Sequence, residues 1–178
     1  SQITHVNHSH PWGIVDFEID RTLLTTGQLS ISQLSALMPD LCPVNMPSDV
    51  TLPEPLVVDK DTHDEIVYLA IPALKQNGVN ISAVEEDSVT RYKLQDENVS
   101  DDLLGSQSQE VIQVAKLNCR LLLAADDTSG FSLLPIARII EVNSEGNITL
   151  DSKFVPPVLT IKHCKPLVAI TREISALL

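Results

Sequence analysis

Residues 130–161 constrain the fold of this chain more than any other stretch, because they combine two apolar runs, a tight polar turn and two consecutive prolines. The first run is rich in β-branched residues and enters the turn at residues 143–146, which ends in glycine. Two apolar runs joined by a short glycine-containing turn predict a β-hairpin. Pro156 and Pro157 then force an extended exit, because proline cannot continue a helix and restricts the residue before it.

Alternation of apolar and polar residues with a period of two recurs along the chain, at residues 13–19, 29–32 and 115–121. The last of these predicts one antiparallel strand that covers a core on one side only. The apolar run 136–142 is expected to lie between two layers, with Pro135 at an edge or a bulge. Many short strands separated by turns predict a mainly β fold, a two-sheet sandwich.

Three segments fall outside this strand pattern. Residues 39–55 contain five prolines and residues 94–109 are polar and acidic, so both are expected to be long exposed loops. Asp20 before the segment ending at Gly27 predicts one helical turn, with Asp20 as N-cap and Gly27 as the stop.

An amphipathic helix is predicted at the end of the chain, after Pro166, where four aliphatic residues recur at near-heptad spacing: Leu167, Ile170, Ile174 and Leu177. A helix of about 13 residues is marginal alone in water, so its apolar stripe requires a cover. Two covers are open at this point: the domain itself, or equivalent helices from other copies of the chain.

Composition and charge exclude several classes of protein. The formal net charge of −12 repels phosphates, so nucleic acid and anionic membranes are poor partners. No apolar run approaches the roughly 18 residues that span a bilayer, so no direct membrane insertion is expected. Three widely spaced cysteines, at 42, 119 and 164, favour reduced thiols and a cytoplasmic location over a disulfide framework.

No motif predicts catalysis or a cofactor. His5, His8 and His10 have spacing that can bind zinc, but they fall in the first ten residues, where order is uncommon, so no metal is expected. No glycine-rich phosphate loop or nucleophile elbow is present. A hydrolase whose site uses His63 or Asp126 is the remaining enzymatic alternative, and we expect no activity.

Several apolar residues lie in segments predicted to be exposed, and in an assembly protein such residues are the expected anchors of a partner interface. Two are in the N-terminal arm and four in the proline-containing loop: Ile3, Val6, Leu41, Met46, Val50 and Leu52.

The order of residues at the hairpin and its corner resembles the N-terminal domain of the TssK family, also called ImpJ or VasE, of the bacterial type VI secretion baseplate. The resemblance is carried by the Leu-Pro-Ile-Ala-Arg-Ile segment at 134–139 and the Phe-Val-Pro-Pro-Val-Leu segment at 154–159. It continues, in order, through the segments His10-Pro11-Trp12-Gly13, Leu23-Leu24, Gly27-Gln28-Leu29, Pro39-Asp40, 66–72 and Arg91-Tyr92.

The resemblance implies a structural role rather than a catalytic one. It implies a β-sandwich at 1–165, similar to the shoulder domain of siphophage receptor-binding proteins, and the start of a helical trimerisation region at 166–178. The sandwich is expected to dock a homotrimer onto the TssF–TssG wedge. A separate C-terminal domain, beyond a chain expected to be a fragment, is expected to contact TssL and TssM at the inner membrane. The alternative is a different phage-derived β-sandwich that binds a carbohydrate or a peptide, which the scarcity of aromatic residues, 3%, disfavours.

Overall fold

The computed structural model describes residues 12–82, 89–100, 109–162 and 164–177. The strands run in chain order as β1 (Gly13–Ile19), β2 (Gln28–Leu29), β3 (Ile31–Leu37), β4 (Pro43–Met46), β5 (Leu56–Val57), β6 (His63–Pro72), β7 (Ile81–Ser82), β8 (Tyr92–Ser100), β9 (Gln109–Leu117), β10 (Arg120–Leu123), β11 (Phe131–Val142) and β12 (Ile148–Leu150). The helices are α1 (Arg21–Leu24) and α2 (Lys165–Leu177). The prediction of a mainly β fold is confirmed.

Two larger sheets share one hydrophobic core. The first has the order β1-β3-β4 and the second has the order β10-β6-β11-β12. A single buried cluster takes side chains from both, among them Ile31, Leu34, Val44, Leu69, Leu134 and Ile139. All of these are aliphatic, as the scarcity of aromatic residues requires. The two-stranded sheet β2-β5 and a further three-stranded sheet, β7-β8-β9, complete the domain and were not predicted.

The predicted hairpin is formed by β11 and β12, with Val142 opposite Ile148. The Asn143 side-chain carbonyl accepts hydrogen bonds from the backbone N–H groups of Glu145 (3.0 Å) and Asn147 (2.8 Å), and Gly146 has φ +89. Pro135 lies at a register shift in the pairing of β11 with β6, so the predicted bulge is confirmed. Pro135 also lies at an edge, as predicted: β12 pairs with β11 only from Ile139 onwards, so at Pro135 the described pairing is with β6 alone.

Three strand predictions need correction. Residues 94–100 are not loop but part of β8, which pairs with β9 in a hairpin, and β4 lies within the proline-containing segment predicted as loop. Residues 115–121 are not one strand: β9 ends at Leu117 and β10 begins at Arg120 in another sheet. Asn118 and Cys119 make this crossing, and both are buried. Apolar and polar residues keep alternating through the crossing, so the sequence pattern does not show that one strand ends and another begins there.

Helix α1 is the short turn expected before Gly27. The Asp20 side chain accepts a hydrogen bond from the N–H of Thr22 at 2.8 Å, as an N-cap does. Gly27 follows with φ +76, a conformation that glycine adopts without strain.

Strand β1 and the segment that contains Pro156 and Pro157 meet at a corner of the fold. Ile14 donates its N–H to the Pro157 carbonyl at 2.8 Å, and Leu159 donates to the Ile14 carbonyl at 2.8 Å. Gly13 beside this contact has φ +149, and a Cβ built there would lie 2.9 Å from the Pro157 oxygen. Only glycine fits at this point, because the two backbones approach too closely for a side chain.

We expect Gly13→Ala to lower the free energy of unfolding by about 2 kcal/mol, because it combines a disfavoured φ with a steric clash against backbone. Gly130→Ala is the matched control: its φ is +78 but nothing lies within 4 Å of the added Cβ, so about 1 kcal/mol is expected. Urea unfolding of both variants measures the difference. Equal losses would show that the Pro157 contact contributes nothing.

One buried arginine joins three parts of the fold. Arg91, immediately before β8, forms a salt bridge of 2.7 Å with Asp40 of the β3–β4 loop. The same guanidinium donates to the Pro72 carbonyl at the end of β6, at 2.9 Å, and lies 6.0 Å from the centroid of the Tyr92 ring. Burial opposes the charge of Arg91, but the hydrogen bonds with Asp40 and Tyr92 outweigh it, so its pKa lies above the ordinary value.

Candidate docking surfaces

Two of the residues predicted at a partner interface belong to the core instead. Met46, at the end of β4, is 3% exposed, and Val50 is 5% exposed. Both belong to the buried cluster. Met46 is turned inward because β4 pairs with β3 and alternates its side chains, whereas Val50 lies in the turn after β4, where its N–H donates to the Asn45 carbonyl at 3.0 Å. The expectation that they are exposed is wrong. The high density of prolines led to the prediction of a loop, although the segment contains a strand.

The other interface candidates remain predictions. Leu41 and Leu52 are exposed on the two loops that flank β4. Leu41 has φ +64, stabilised by a turn in which its N–H donates to the Met38 carbonyl at 2.8 Å. Ile3 and Val6 lie outside the described residues.

Helix α2 leaves part of its apolar side uncovered. Ile170 is 49% exposed and Ile174 is 55% exposed, while Leu167 is half-buried. The side chain of Leu177, the fourth member of the predicted stripe, is outside the described part of the chain. Two isoleucines one helical turn apart therefore face solvent, so the domain does not provide the full cover that the stripe requires.

A cleft of about 590 Å³ opens beside Leu52. One wall is formed by residues 51–57, and the other by residues 116–122, where the chain crosses from β9 to β10. The first wall is tied to the β8–β9 hairpin by hydrogen bonds from Thr51 to the Gln95 side chain (3.1 Å) and from Lys116 to the Asp49 carbonyl (3.3 Å). No sequence pattern indicates this cleft, because its walls are some 65 residues apart along the chain.

Charged side chains of both signs line the cleft. Three cationic side chains line it, Lys93, Lys116 and Arg120, against the single carboxylate of Glu54. Lys116 is paired with Glu97 at 2.7 Å, whereas Lys93 has no carboxylate partner among the described residues.

The residues considered for chemistry serve turns in the part of the chain that the structure describes. Asp126 accepts a hydrogen bond from the N–H of Leu123 at 2.7 Å, and Asp127 from that of Ser129 at 3.0 Å. The hydrogen bonds from Ser129 lower the pKa of Asp127, so this carboxylate is ionised at neutral pH. His63 is exposed at the start of β6, and His5, His8 and His10 lie outside the described residues. Among the described side chains, no three potential metal ligands cluster together.

Cys119 carries a strongly perturbed thiol. Burial and, to a smaller extent, the proximity of Cys42 together raise its pKa to about 12, although the charge of Arg91 acts in the opposite direction. The folded chain therefore keeps this thiol protonated at a pH where the unfolded chain ionises it near 9.0. Cys119 stabilises the fold fully below pH 9, and this contribution is lost as the pH rises towards 12.

We expect the wild-type chain to lose about 2 kcal/mol more unfolding free energy between pH 8 and pH 10.5 than Cys119→Ala does. Denaturant titrations at several pH values measure both curves. Groups other than Cys119 titrate in the same range, but they affect both proteins alike and cancel in the difference. Parallel curves would contradict the assignment.

The fold and the surfaces together define a class of protein, a β-rich protein-interaction domain. Its exposed loops, its open cleft and its partly uncovered helix are suited to contacts with other proteins. A sequence profile described as "Bacterial Type VI secretion, VC_A0110, EvfL, ImpJ, VasE" matches residues 1–178. The chain belongs to this family, the TssK family, and the resemblance seen in its sequence is confirmed.

Relatives and solved structures agree with this assignment. The chain is 32% identical, over 169 residues, to the type VI secretion system baseplate component TssK1 of Pseudomonas aeruginosa, covering 94% of this chain and 38% of that protein. It is 26% identical to a chain of a TssK–TssF–TssG baseplate subcomplex, with a TM-score of 0.80, covering 94% of this chain and 56% of that one. A crystal structure of TssK at 24% identity has a TM-score of 0.81, covering 94% and 38%, and shows the shared fold. The chain thus spans well under two thirds of the length of these relatives.

No helix among the described residues is both long enough and apolar enough to cross a membrane.

Proposed function

We propose that this chain is a structural part of a type VI secretion baseplate and that its β-sandwich docks a TssK-like trimer onto the TssF–TssG wedge. The observation that carries the proposal is the match, at a TM-score of 0.80, to a chain of a TssK–TssF–TssG subcomplex. A second structure, of the baseplate complex itself, matches at the same TM-score over 95% of this chain. The exposed residues Leu41 and Leu52 are the proposed anchors.

Residues 166–178 are proposed as the start of the trimerisation region, following a docking domain at 1–165. The exposure of Ile170 and Ile174 supports this division: each is about half exposed, so completing their burial in a helical bundle contributes roughly 1.5–3 kcal/mol per copy. The region beyond this chain in the longer relatives would then complete the bundle and reach TssL and TssM. The protein would act on the cytoplasmic side of the inner membrane, without a catalytic centre or a cofactor.

The mechanism is affinity through assembly. A rigid sandwich presents loops with small contact areas, and three copies on one bundle multiply weak contacts through effective concentration. Binding strength then depends on oligomeric state more than on the individual contacts.

The test titrates the TssF–TssG wedge with the 178-residue chain and with the same chain fused at its C-terminus to a trimeric coiled coil. We expect the fused trimer to bind on the order of a hundredfold more tightly. A fusion to a monomeric helix of equal length is the control for the added mass. Equal affinity of chain and trimer would remove the avidity mechanism, and no binding by either would remove the docking role.

A further inference from the structure

Strand β9 forms one edge of its sheet. The sheet has the order β7-β8-β9, and β9 pairs with β8 over nine successive residue pairs without a register shift. Among the described residues, no strand pairs with the other side of β9. Val111 is 64% exposed and Ile112 42% exposed, and the residues at 113 and 115 are exposed as well. A long, exposed strand with one unpaired side is a template for pairing with another chain.

The phase of the β8–β9 pairing shows which backbone groups of β9 point outward. In an antiparallel pair, residues that exchange both hydrogen bonds alternate with residues that direct their N–H and C=O groups to the other side. The Asn118 N–H donates to the Arg91 carbonyl at 2.8 Å, which places the bonded positions of β9 at its even-numbered residues. The Tyr92 N–H donates away from β9, to the Asn80 carbonyl at 2.9 Å, as this phase requires. The odd-numbered residues of β9 therefore direct their backbone groups away from β8.

Three of these odd-numbered residues are exposed: Val111, Gln113 and Ala115. Among the described residues, none of the three has a hydrogen bond on the side away from β8. Ala115 carries only a methyl group, so little side chain covers its backbone. Three N–H and three C=O groups, spaced at every second residue, are therefore available to an added strand.

Little in the sequence of β9 protects this edge. Proteins usually protect an exposed edge strand with proline, lysine or a β-bulge. Residues 109–115 contain no proline and no lysine, and their pairing has no register shift. The only charged residue among them is Glu110. Negative charge is thus the one protecting device in this segment, and it does not oppose the approach of a basic strand.

The charge of the β8–β9 hairpin selects the occupant. Residues 92–117 carry five carboxylates against two lysines, a formal charge of −3. Lys93 and Lys116 lie opposite each other near the base of the hairpin, so all five carboxylates lie between them in the chain. Lys116 pairs with Glu97 at 2.7 Å, whereas Asp96 is exposed and has no cationic partner among the described residues. This charge repels a second copy of the same hairpin and attracts a basic segment.

We propose that the outer edge of β9, at residues 111–115, binds an extended basic segment of a protein partner, which adds to the sheet as a fourth strand. Backbone hydrogen bonds to Val111, Gln113 and Ala115 supply affinity, and lysine or arginine side chains beside Asp96 supply specificity. The inference rests on the proposed function only in taking this chain to work within a protein assembly.

The first experiment measures amide hydrogen exchange of the 178-residue chain alone by ¹H–¹⁵N spectroscopy. The amides of Gln113 and Ala115 should exchange at least about tenfold faster than those of Ile112 and Val114, which are bonded to β8. Equal protection of all four amides would show that another segment of the chain already covers this edge, and would overturn the proposal.

The second experiment measures fluorescence anisotropy of three labelled synthetic heptapeptides with the same chain. One alternates valine and lysine, the second replaces lysine by glutamate, and the third is the basic peptide N-methylated at two adjacent central residues. We expect the basic peptide to bind about tenfold more tightly than either of the others, because the second has the wrong charge and the third lacks backbone donors on both edges. Binding of the N-methylated peptide as tightly as its parent would show attraction by charge alone. That result, or no saturable binding, would overturn the proposal.

A proline variant tests the backbone contact. Gln113→Pro removes an N–H that points away from β8, so it breaks no bond of the β8–β9 pairing and is tolerated at an edge. It should weaken binding of the basic peptide about tenfold, whereas Gln113→Ala keeps the N–H and should bind as the unmodified chain does. Circular dichroism checks that both variants are folded. Equal affinity of the two folded variants would contradict strand addition at this edge.

A pair of charge reversals tests the site without altering the backbone. Asp96→Lys should weaken binding of the basic peptide about tenfold. Asp61→Lys, the same change at an exposed residue between β5 and β6, should leave the affinity within about twofold of the unmodified chain. Equal effects of the two reversals would show that the peptide responds to net charge rather than to this edge.

The peptide experiments and the wedge titration fail independently. Loss of wedge binding would remove the docking role while the peptide data still decide what the β9 edge binds. Absence of peptide binding would overturn the proposal for β9 and leave the docking role to be decided by the wedge titration.

Discussion

Replacing Arg91 by alanine is expected to lower the free energy of unfolding by about 3 kcal/mol, a melting-temperature decrease of roughly 6–12 °C for a chain of this size. The substitution removes the donor of the Pro72 carbonyl and the partner of the Asp40 carboxylate at once. Breaking a buried ion pair by deleting one member costs more than the pair contributes, because the other member is left without compensation. Asp40 is partly exposed and can recover some solvation, which places the loss at the lower end of the range for buried pairs.

Two comparisons isolate the source of this loss. Asp40→Asn keeps an acceptor for the guanidinium and is expected to cost about 1 kcal/mol. Arg91→Lys keeps the charge but cannot hold both contacts with a planar fork, and should fall between the two. Thermal unfolding followed by circular dichroism ranks the three variants. A melting temperature for Arg91→Ala within 2 °C of wild type would show that the three joined segments are held by packing alone.

The second large effect is expected at Leu134, which is fully buried in β11, opposite Leu69 of β6. Leu134→Ala should lower the free energy of unfolding by about 3 kcal/mol, from lost burial and from the cavity left in an aliphatic core. The core is shared by both larger sheets, so the surroundings cannot collapse onto the gap without moving one of them.

Ile140→Ala on the same strand is the matched control. Ile140 is 46% exposed, so the expected loss is less than about 1 kcal/mol. Chemical denaturation of both variants gives the two values on one scale. Losses of similar size would show that β11 has no distinct inner face.

Local chemistry was readable from the sequence. The β11–β12 turn was predictable because the Asn143 side chain and the φ of Gly146 determine it. Helix α1 was predictable because Asp20 caps its start and Gly27 follows its end. In each case the residues lie close together in the sequence. Turn and cap signals work because the groups that satisfy one another are neighbours along the chain. The bulge at Pro135 followed from the missing N–H.

Features that join segments far apart in the chain could not be predicted from the sequence. Residues 94–100 of β8 were predicted as loop because this strand is largely polar and no residue at 94–98 is buried, so no burial pattern marks it. Val15 was expected to share a face with Phe17, but a register shift between Ile14 and Asp16 turns Ile14 inward instead. The cleft and the contacts of Arg91 join segments far apart in sequence, and a period within a single segment carries no information about them.

The crossing between the sheets has a mechanical consequence. Only Asn118 and Cys119 separate the last residue of β9 from the first of β10, and Asn118 is fastened by hydrogen bonds to the carbonyls of Thr90 (2.9 Å) and Arg91 (2.8 Å). A connection this short, held by these hydrogen bonds, does not let β9 and β10 move far relative to each other. Force applied to the β8–β9 hairpin is therefore transmitted directly to the four-stranded sheet, so the hairpin and the sheet are expected to move together.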